Sequence, residues 1–170
     1  MAGNPSIHFI ITGGTIDSYD KEIRYPLIPL QKSIIPIYIK GLKLHAKPEF
    51  TVVCLKDSRD IAKADLKKLL GAVEKSAAKR IIITCGTFAM PDIARFLDLN
   101  MRKKDKTIVL TGAMIPLYGF PLSDGPFNLG FAAAKAHDLP SGVYVAMNGK
   151  AFASNEVLKI VSEGRFESVF

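Results

Sequence analysis

The sequence predicts an α/β fold, a three-layer sandwich built on a mainly parallel β-sheet, and three observations support this. Short runs of β-branched and aliphatic residues alternate along the chain with longer segments whose apolar residues recur at helical spacing. Several of the short runs are continuously apolar, as is typical of strands covered on both faces. The chain has 170 residues, 48% of them hydrophobic and 23% charged, so it can bury one sizeable core.

Five segments have the length and composition of strands. They are, in chain order, residues 7–12, 50–55, 80–85, 107–111 and 142–147. Gly13 and Gly14 stop the first of them. The alternation of these strands with helical segments predicts that most of them pair in parallel.

Three helices are expected between the strands. Residues 63–78 and 91–101 each place their apolar side chains on one stripe, and Pro91 suits the first turn of the second helix. A third helix follows Asp124, which is suited to cap it. Its expected buried residues include Phe127, Leu129, Phe131 and Ala134. A helix around residues 34–44 is left open, because Pro36 interrupts the pattern.

The cysteines and the apolar runs bear on location. Cys54 and Cys85 each lie in a predicted buried strand, so two free thiols in a reducing compartment are expected, with one disulfide as the alternative. No secretory signal is recognisable at the N-terminus, and no apolar run approaches the length of a membrane span. We therefore expect a cytoplasmic protein with no membrane partner.

The formal net charge of +7 raises the question of nucleic-acid binding. The densest basic cluster spans residues 102–106, and no stacking aromatic residues are interleaved with it. A solvated surface explains this charge better than a nucleic-acid site. His8, His45 and His137 are scattered without metal-ligand spacing, so no metal site is expected.

Hydroxyl side chains follow three of the predicted strands. Thr15, Ser58 and Thr87 come just after the first, second and third strands, and Gly14 and Gly86 leave backbone amides open beside them. Parallel sheets bind ligands beyond the carboxyl ends of their strands, so the three hydroxyls should cluster there. A hydroxyl nucleophile beside an amide-lined anion site suits this pattern. Any one Gly-Thr pair could instead only form a turn, but three at equivalent positions favour a site.

Known nucleotide-binding motifs do not account for these glycines. Gly13 and Gly14 do not complete a G-x-G-x-x-G fingerprint, and the chain contains no G-K-[ST] sequence. A dinucleotide or P-loop cofactor site is therefore not expected.

Several segments resemble one known family. Residues 11–16 read ITGGTI, residues 111–114 read TGAM and residues 123–129 read SDGPFNL. These resemble the T-G-G-T-I, G-A-M and S-A-D-G-P-F-N-L segments of bacterial-type L-asparaginases, and the resemblance extends from about residue 7 to residue 159. It implies the Rossmann-like N-terminal-domain fold of that family. It also implies hydrolysis of asparagine to aspartate and ammonia without a metal or organic cofactor.

The resemblance implies roles for individual residues. Thr15 would be the attacking threonine, on a mobile loop that closes over the substrate. Tyr25 would orient it, although a packed loop anchor explains Tyr25 equally well and Tyr19 lies in the same loop. Thr87 and Lys159 would be two members of a Thr-Lys-Asp relay, although a solvated lysine is the alternative for Lys159 taken alone.

Further residues would contact the substrate. Ser58 would bind its α-carboxylate, and Gly14 and Gly86 would line the same pocket. Arg59 stands where secreted members carry glutamine, and its cation could still hold a carboxylate.

One departure from the family pattern lies in the site itself. The family's H-G-T-D-T reads here as residues 85–89, CGTFA, so Phe88 replaces the aspartate that pairs with the lysine and holds the substrate's α-ammonium. Without that carboxylate, desolvation should lower the pKa of Lys159, and the neutral amine could accept the Thr87 proton. We expect weak affinity for asparagine, or a preference for an amide lacking the ammonium, unless Asp57 or Asp60 substitutes.

Length is a second departure. Typical members have a further C-terminal domain, so residues 1–170 resemble an isolated N-terminal domain or a short single-domain member that lacks it. Phe166, Val169 and Phe170 are expected to be exposed and to favour a homodimer or larger oligomer. The alternative to an enzyme acting on asparagine or a small related amide is a catalytically impaired amino-acid-binding or scaffold protein using the same pocket.

Overall fold

The secondary structure alternates as the sequence predicts, in a computed structural model that describes residues 6–19, 27–119 and 121–170. The strands are β1 (Ser6–Gly13), β2 (Ser18–Tyr19), β3 (Ile28–Pro29), β4 (Lys47–Lys56), β5 (Arg80–Thr84), β6 (Thr107–Thr111), β7 (Gly142–Met147), β8 (Lys150–Ala153), β9 (Val157–Ile160) and β10 (Arg165–Ser168). The helices are α1 (Ile35–Gly41), α2 (Lys63–Lys75), α3 (Met90–Asn100) and α4 (Gly125–Asp138). Short 3₁₀ turns occupy Thr15–Asp17, Ser58–Asp60 and Val161–Glu163.

The described residues form one main sheet of six strands in the order β4-β1-β5-β6-β7-β8. The first five pair in parallel, and β8 pairs antiparallel with β7. All five predicted strands are present, and the second begins three residues earlier than predicted, at Lys47. The mainly parallel sheet predicted from the sequence is therefore confirmed.

Helices cover both faces of this sheet. On one face α2 and α3 pack with Ile81 and Ile83 of β5, and on the other face α1 and α4 pack with Ile82. Successive residues of β5 thus point into two different cores, which explains why its three central residues, Ile81, Ile82 and Ile83, are all apolar. The result is the predicted three-layer sandwich.

The chain order creates a crevice between two central strands. The connection after β1 leads outward to β4 on the α1 face, whereas the connection after β5 leads through α3 to β6 on the opposite face. The loops that follow β1 and β5 therefore diverge, and their strands are neighbours in the sheet. Ligands bind at such switch points in parallel α/β sheets.

Two predictions about α4 are wrong. Phe127 is 61% exposed and Ala134 is exposed, whereas Leu129, Ala132 and Ala136 are buried. The three buried residues recur at intervals of three and four, so they share one helical face, which Phe127 does not. Phe131, also predicted to be buried, is only partly buried against the same core.

The prediction that Asp124 is the N-cap of α4 is confirmed for its position but not for a capping hydrogen bond. Asp124 occupies the N-cap position of α4 but makes no side-chain hydrogen bond to the helix backbone there. Its carboxylate is instead held by backbone amides of the loop after β6, described below.

The C-terminal strands were not predicted. Asn148 and Gly149 connect β7 to β8 with φ values of 53° and 77°, the left-handed conformations of a two-residue hairpin turn. Beyond that hairpin, β9 and β10 form a separate antiparallel pair. Phe166 on β10 is only 2% exposed and packs in the α2–α3 core, which overturns its predicted exposure, whereas Val169 and Phe170 are exposed as predicted.

Candidate active site

A cavity of about 310 Å³ lies beyond the carboxyl ends of β1, β4 and β5. Its lining includes all but one of the residues proposed from the sequence: Gly14, Thr15, Ser58, Arg59, Gly86, Thr87 and Lys159. Ser18, Leu27, Pro29, Asp57, Phe88, Met114 and Val161 complete the described wall. Tyr25, the remaining predicted residue, lies outside the described residues. The expected clustering of the three hydroxyl residues is therefore observed.

Two glycines let the loops meet. Gly14 has a φ of 84°, and a Cβ built there would lie 2.2 Å from the backbone nitrogen of Gly86. A Cβ at Gly86 would in turn lie 2.6 Å from both Cβ and Oγ of Ser58. Only residues without side chains permit this approach, because real Cβ atoms essentially never come within 3.0 Å of other heavy atoms. The glycines thus bring the ends of three strands to one cavity.

Thr15 begins a short 3₁₀ turn whose end is anchored in the interior. The carboxylate of Asp17 is fully buried and accepts hydrogen bonds from the Ser33 hydroxyl at 2.7 Å and the Ile34 amide at 2.8 Å. Burial raises the pKa of Asp17, although these hydrogen bonds oppose the rise. Asp17 therefore ties the turn that carries Thr15 to the start of α1.

Ser58 links the loop after β4 to the start of α3. Its side chain is buried, and its Oγ accepts a hydrogen bond from the Ala89 amide at 3.3 Å. Since Ala89 precedes α3, the positive end of that helix lies beside Ser58. This is a suitable environment for the carboxylate of a ligand.

Arg59 already binds a carboxylate within the chain. Its Nε and Nη2 donate to the two carboxylate oxygens of Asp57 at 2.9 and 2.8 Å, a bidentate pair. These hydrogen bonds hold the pKa of Asp57 below its usual range. Arg59 therefore binds a carboxylate as predicted, but this carboxylate belongs to Asp57. Binding of a substrate by Arg59 remains a prediction.

Thr87 and Lys159 are hydrogen-bonded to each other. Lys159 Nζ donates to Thr87 Oγ1 at 2.7 Å, although 72 residues separate them in sequence. Thr87 is buried and Lys159 is half-buried, and desolvation lowers the pKa of Lys159. This is the direction expected from the sequence. A lysine with a lowered pKa in contact with a hydroxyl can accept and return a proton.

The β9–β10 hairpin places Lys159 at the cavity. Phe166, which pairs with Lys159 across the hairpin, is buried in the α2–α3 core, and its amide donates to Asn148 Oδ1 at 3.1 Å. Arg95 of α3 donates to the Val157 carbonyl at 2.7 Å. These contacts attach β10 to the β7–β8 turn and β9 to α3, so the position of Lys159 depends on packing with elements outside its own hairpin.

Asp124 orders the fourth loop of the site, a role that the sequence analysis missed. Its carboxylate accepts from the Met114 amide at 2.9 Å, the Ile115 amide at 2.9 Å and Asn128 Nδ2 at 3.0 Å. Met114 lines the cavity, and the Thr87 hydroxyl lies 3.7 Å from its sulfur. The signal in the sequence was the acidic residue before Gly125-Pro126, which also suits a helix cap.

Phe88 forms part of the cavity wall. Its side chain is 57% exposed, although the adjacent Thr87 is buried. Among the lining residues that the structure describes, Asp57 supplies the one carboxylate, and Asp60 is not in the lining. Within that lining, Asp57 is therefore the one residue that could take over the role of the family's aspartate, which Phe88 replaces.

The described residues contain neither a membrane-spanning helix nor a cluster of metal-ligating side chains. No helix there is long and apolar enough to cross a membrane. Nor does any group of three or more His, Cys, Asp or Glu side chains within residues 6–19, 27–119 and 121–170 have the proximity to hold a metal ion. Cys54 and Cys85 are both free, and burial raises the pKa of the Cys85 thiol well above its usual value.

Comparison with known proteins identifies relatives of the chain. A probable periplasmic L-asparaginase from Haemophilus influenzae is 33% identical over 164 residues, which are 91% of this chain and 46% of that protein. An L-asparaginase from Thermococcus kodakarensis is 31% identical over 162 residues, which are 93% of this chain and 49% of that protein. The chain thus spans about half the length of these relatives.

Solved structures agree. The thermostable L-asparaginase from Thermococcus kodakarensis superposes with a TM-score of 0.83 at 30% identity, covering 96% of this chain and 51% of that one. A probable cytoplasmic L-asparaginase from Campylobacter jejuni has the same TM-score at 27% identity, covering 97% of this chain and 53% of that one. The family model for the asparaginase N-terminal domain matches residues 6–168. This chain therefore belongs to the asparaginase family and has the fold of its N-terminal domain.

Proposed function

We propose that the protein is an amidohydrolase that hydrolyses L-asparagine or a related small amide to the corresponding acid and ammonia, with Thr15 as the nucleophile. The observation that carries the proposal is the 2.7 Å hydrogen bond between Lys159 and Thr87 in the cavity that Thr15 also lines. A nucleophile, a proton acceptor and a polar binding residue, Ser58, face the same space. These are the parts that hydroxyl-based acyl transfer requires.

The proposed reaction has two steps, formation of an acyl-threonine and its hydrolysis. The Thr15 oxygen attacks the amide carbon and loses its proton, while the departing nitrogen gains a proton and leaves as ammonia. Water then attacks the acyl-threonine, releases the acid and restores the Thr15 hydroxyl. The Thr87–Lys159 pair accepts a proton during attack and returns one during departure. The lowered pKa of Lys159 supports this role, because it increases the neutral fraction of the amine.

The names of the relatives support the amide class. Those compared above are called L-asparaginases, and this chain covers about half of each. The proposal extends to a cytoplasmic homo-oligomer. One relative is named as a probable cytoplasmic asparaginase and another as a probable periplasmic one. The exposed Val169 and Phe170 favour self-association.

Ammonia release from the purified chain tests the proposal. Wild type should release ammonia from at least one small amide, whereas Thr15→Ala and Lys159→Met should lose about 100-fold or more of that activity. Thr15→Ser keeps the hydroxyl and should retain measurable turnover. Lys103→Met is the matched lysine control, because Lys103 is exposed in the loop before β6. The proposal fails if the folded wild type releases no ammonia from asparagine, glutamine or simple amides.

The alternative function is an amino-acid-binding or scaffold protein that uses the same cavity. The observation that favours it is Phe88, because an aromatic ring cannot accept a hydrogen bond from an ammonium as a carboxylate does. A rise in melting temperature with aspartate, without ammonia release from any amide, would support this alternative. Ammonia release that depends on Thr15 would exclude it.

A further inference from the structure

The geometry points to Phe88 as the residue that determines the substrate specificity of the cavity. Because of Phe88, the cavity selects amides that carry a free carboxylate but no α-ammonium. Succinamate, the monoamide of succinic acid, is the simplest member of this class. The inference rests on the proposed amidohydrolase function. It concerns which amide binds, whereas that function concerns how an amide is hydrolysed.

The charges of the described cavity wall do not favour an ammonium ion. The one carboxylate in that part of the lining belongs to Asp57, and both of its oxygens accept hydrogen bonds from Arg59. The other ionisable side chains there belong to Arg59 and Lys159, and neither supplies a negative charge to a cation. A substrate ammonium would therefore exchange its water for a wall that offers no free carboxylate among these residues.

The position of the apolar side chains supports the same conclusion. Phe88 and Val161 line the cavity and are 57% and 64% exposed, and Met114, Leu27 and Pro29 also line it. Phe88 directly follows Thr87, so this apolar surface lies beside the group that exchanges the proton. A methylene in place of the CH–NH₃⁺ group suits that surface, since it has no hydration to lose.

The carboxylate of such a substrate still has a site. Ser58 lies beside the start of α3, and its Oγ accepts a hydrogen bond from Ala89, which leaves the hydroxyl proton available to a ligand. Recognition therefore requires the carboxylate and the amide, at opposite ends of the molecule. The described part of the cavity wall offers the α-nitrogen no free carboxylate.

Comparison of two substrates in three proteins tests the inference. The ratio of kcat/KM for succinamate to that for asparagine should be at least about tenfold above unity in wild type. Phe88→Asp supplies a carboxylate and should shift this ratio toward asparagine by about tenfold to 100-fold, the size of one charge-assisted hydrogen bond. Phe127→Asp is the matched control, because Phe127 is 61% exposed and lies outside the cavity lining. Its ratio should equal that of wild type.

The outcomes separate this inference from the proposed function. An asparagine preference in wild type, or an unchanged ratio in folded Phe88→Asp, would overturn the specificity assignment and leave the hydrolytic function intact. If Phe88→Asp does not fold, Phe88→Asn provides a neutral acceptor and should shift the ratio in the same direction. If no amide is hydrolysed, calorimetry decides, since the cavity should bind succinate at least about tenfold more tightly than aspartate. Tighter binding of aspartate would overturn the inference.

Discussion

Gly14→Ala should disable the site while leaving a folded protein. The substitution places a methyl group 2.2 Å from the Gly86 nitrogen and 2.3 Å from the Gly86 Cα, and both are backbone atoms that no rotamer change can move. The two loops must separate by about 1 Å before these contacts reach the 3.4 Å at which ordinary packing begins. Gly14 also has a φ of 84°, a conformation that alanine adopts only under strain.

The magnitudes follow from these two effects. With a φ of 84° and a ψ of −174°, Gly14 adopts a backbone conformation that is essentially confined to glycine. Holding another residue there costs about 1–3 kcal/mol, and overpacking costs about 1–3 kcal/mol. We therefore expect Gly14→Ala to lower the free energy of unfolding by about 2–6 kcal/mol. Because Thr15 follows Gly14 and Thr87 follows Gly86, the separation moves Thr15 away from Thr87, which are the nucleophile and part of the proton acceptor in the proposed mechanism. A displacement of about 1 Å can reduce the rate about 100-fold.

Urea unfolding and ammonia release measure the two expected effects. Gly71→Ala is the matched control, since a Cβ at Gly71 in α2 meets nothing within 4 Å. It should raise the free energy of unfolding by about 0.5–1 kcal/mol and leave activity unchanged. If Gly14→Ala matched wild type in both stability and turnover, the close approach of the two loops would be refuted.

Three further predictions concern charged and titratable groups. Desolvation lowers the pKa of Lys159, so kcat/KM should rise with pH and level off below pH 10.5, and a pH-independent rate would contradict this. The free energy of unfolding should also rise with pH between the lowered pKa and 10.5, because the unfolded chain binds the proton of Lys159 more tightly than the folded protein does. Asp124→Ala removes the acceptor for the Met114 amide, so it should lower the free energy of unfolding by about 2–3 kcal/mol and raise KM. Unchanged urea unfolding would argue against the anchoring role of Asp124. Burial lowers the pKa of His8, so stability should fall as the pH drops below 6.5, and His8→Gln should show a shallower acid loss in thermal melts if this is correct.

The strands of the parallel sheet were predictable because their signal is local. Within residues 80–85, Ile81, Ile82 and Ile83 are consecutive β-branched apolar residues, a pattern typical of a short strand covered on both faces. By contrast, β8, β9 and β10 have four residues each and mixed composition, so periodicity carries little information there. The Asn148-Gly149 pair was nevertheless a hairpin signal that the sequence analysis did not use.

The site was predictable to the extent that sheet topology determines it. Thr15, Ser58 and Thr87 each follow a parallel strand, so all three lie at the same edge of the sheet regardless of the conformation of the individual loops. No such rule applies to Lys159, since it arrives from a separate hairpin and was found only through the resemblance. The acceptor role of Asp124 was missed for a related reason. Its partners, the amides of Met114 and Ile115, become neighbours only after folding.

The different burial of Thr87 and Phe88 determines what a substitution at position 88 can alter in the cavity. These residues are adjacent, yet Thr87 is buried against Lys159 while Phe88 is exposed at the cavity wall. A substitution at position 88 can therefore alter which α-substituent the cavity accepts without removing the hydrogen bond between Thr87 and Lys159. In the Thr-Lys-Asp relay that the resemblance implies, Phe88 replaces the aspartate, so the proposed proton transfer rests on Thr87 and Lys159 alone. Desolvation lowers the pKa of Lys159, which is consistent with that proposal. Under the proposed function, a cavity that does not bind an α-ammonium can therefore still transfer protons through Thr87 and Lys159, which remain hydrogen-bonded to each other.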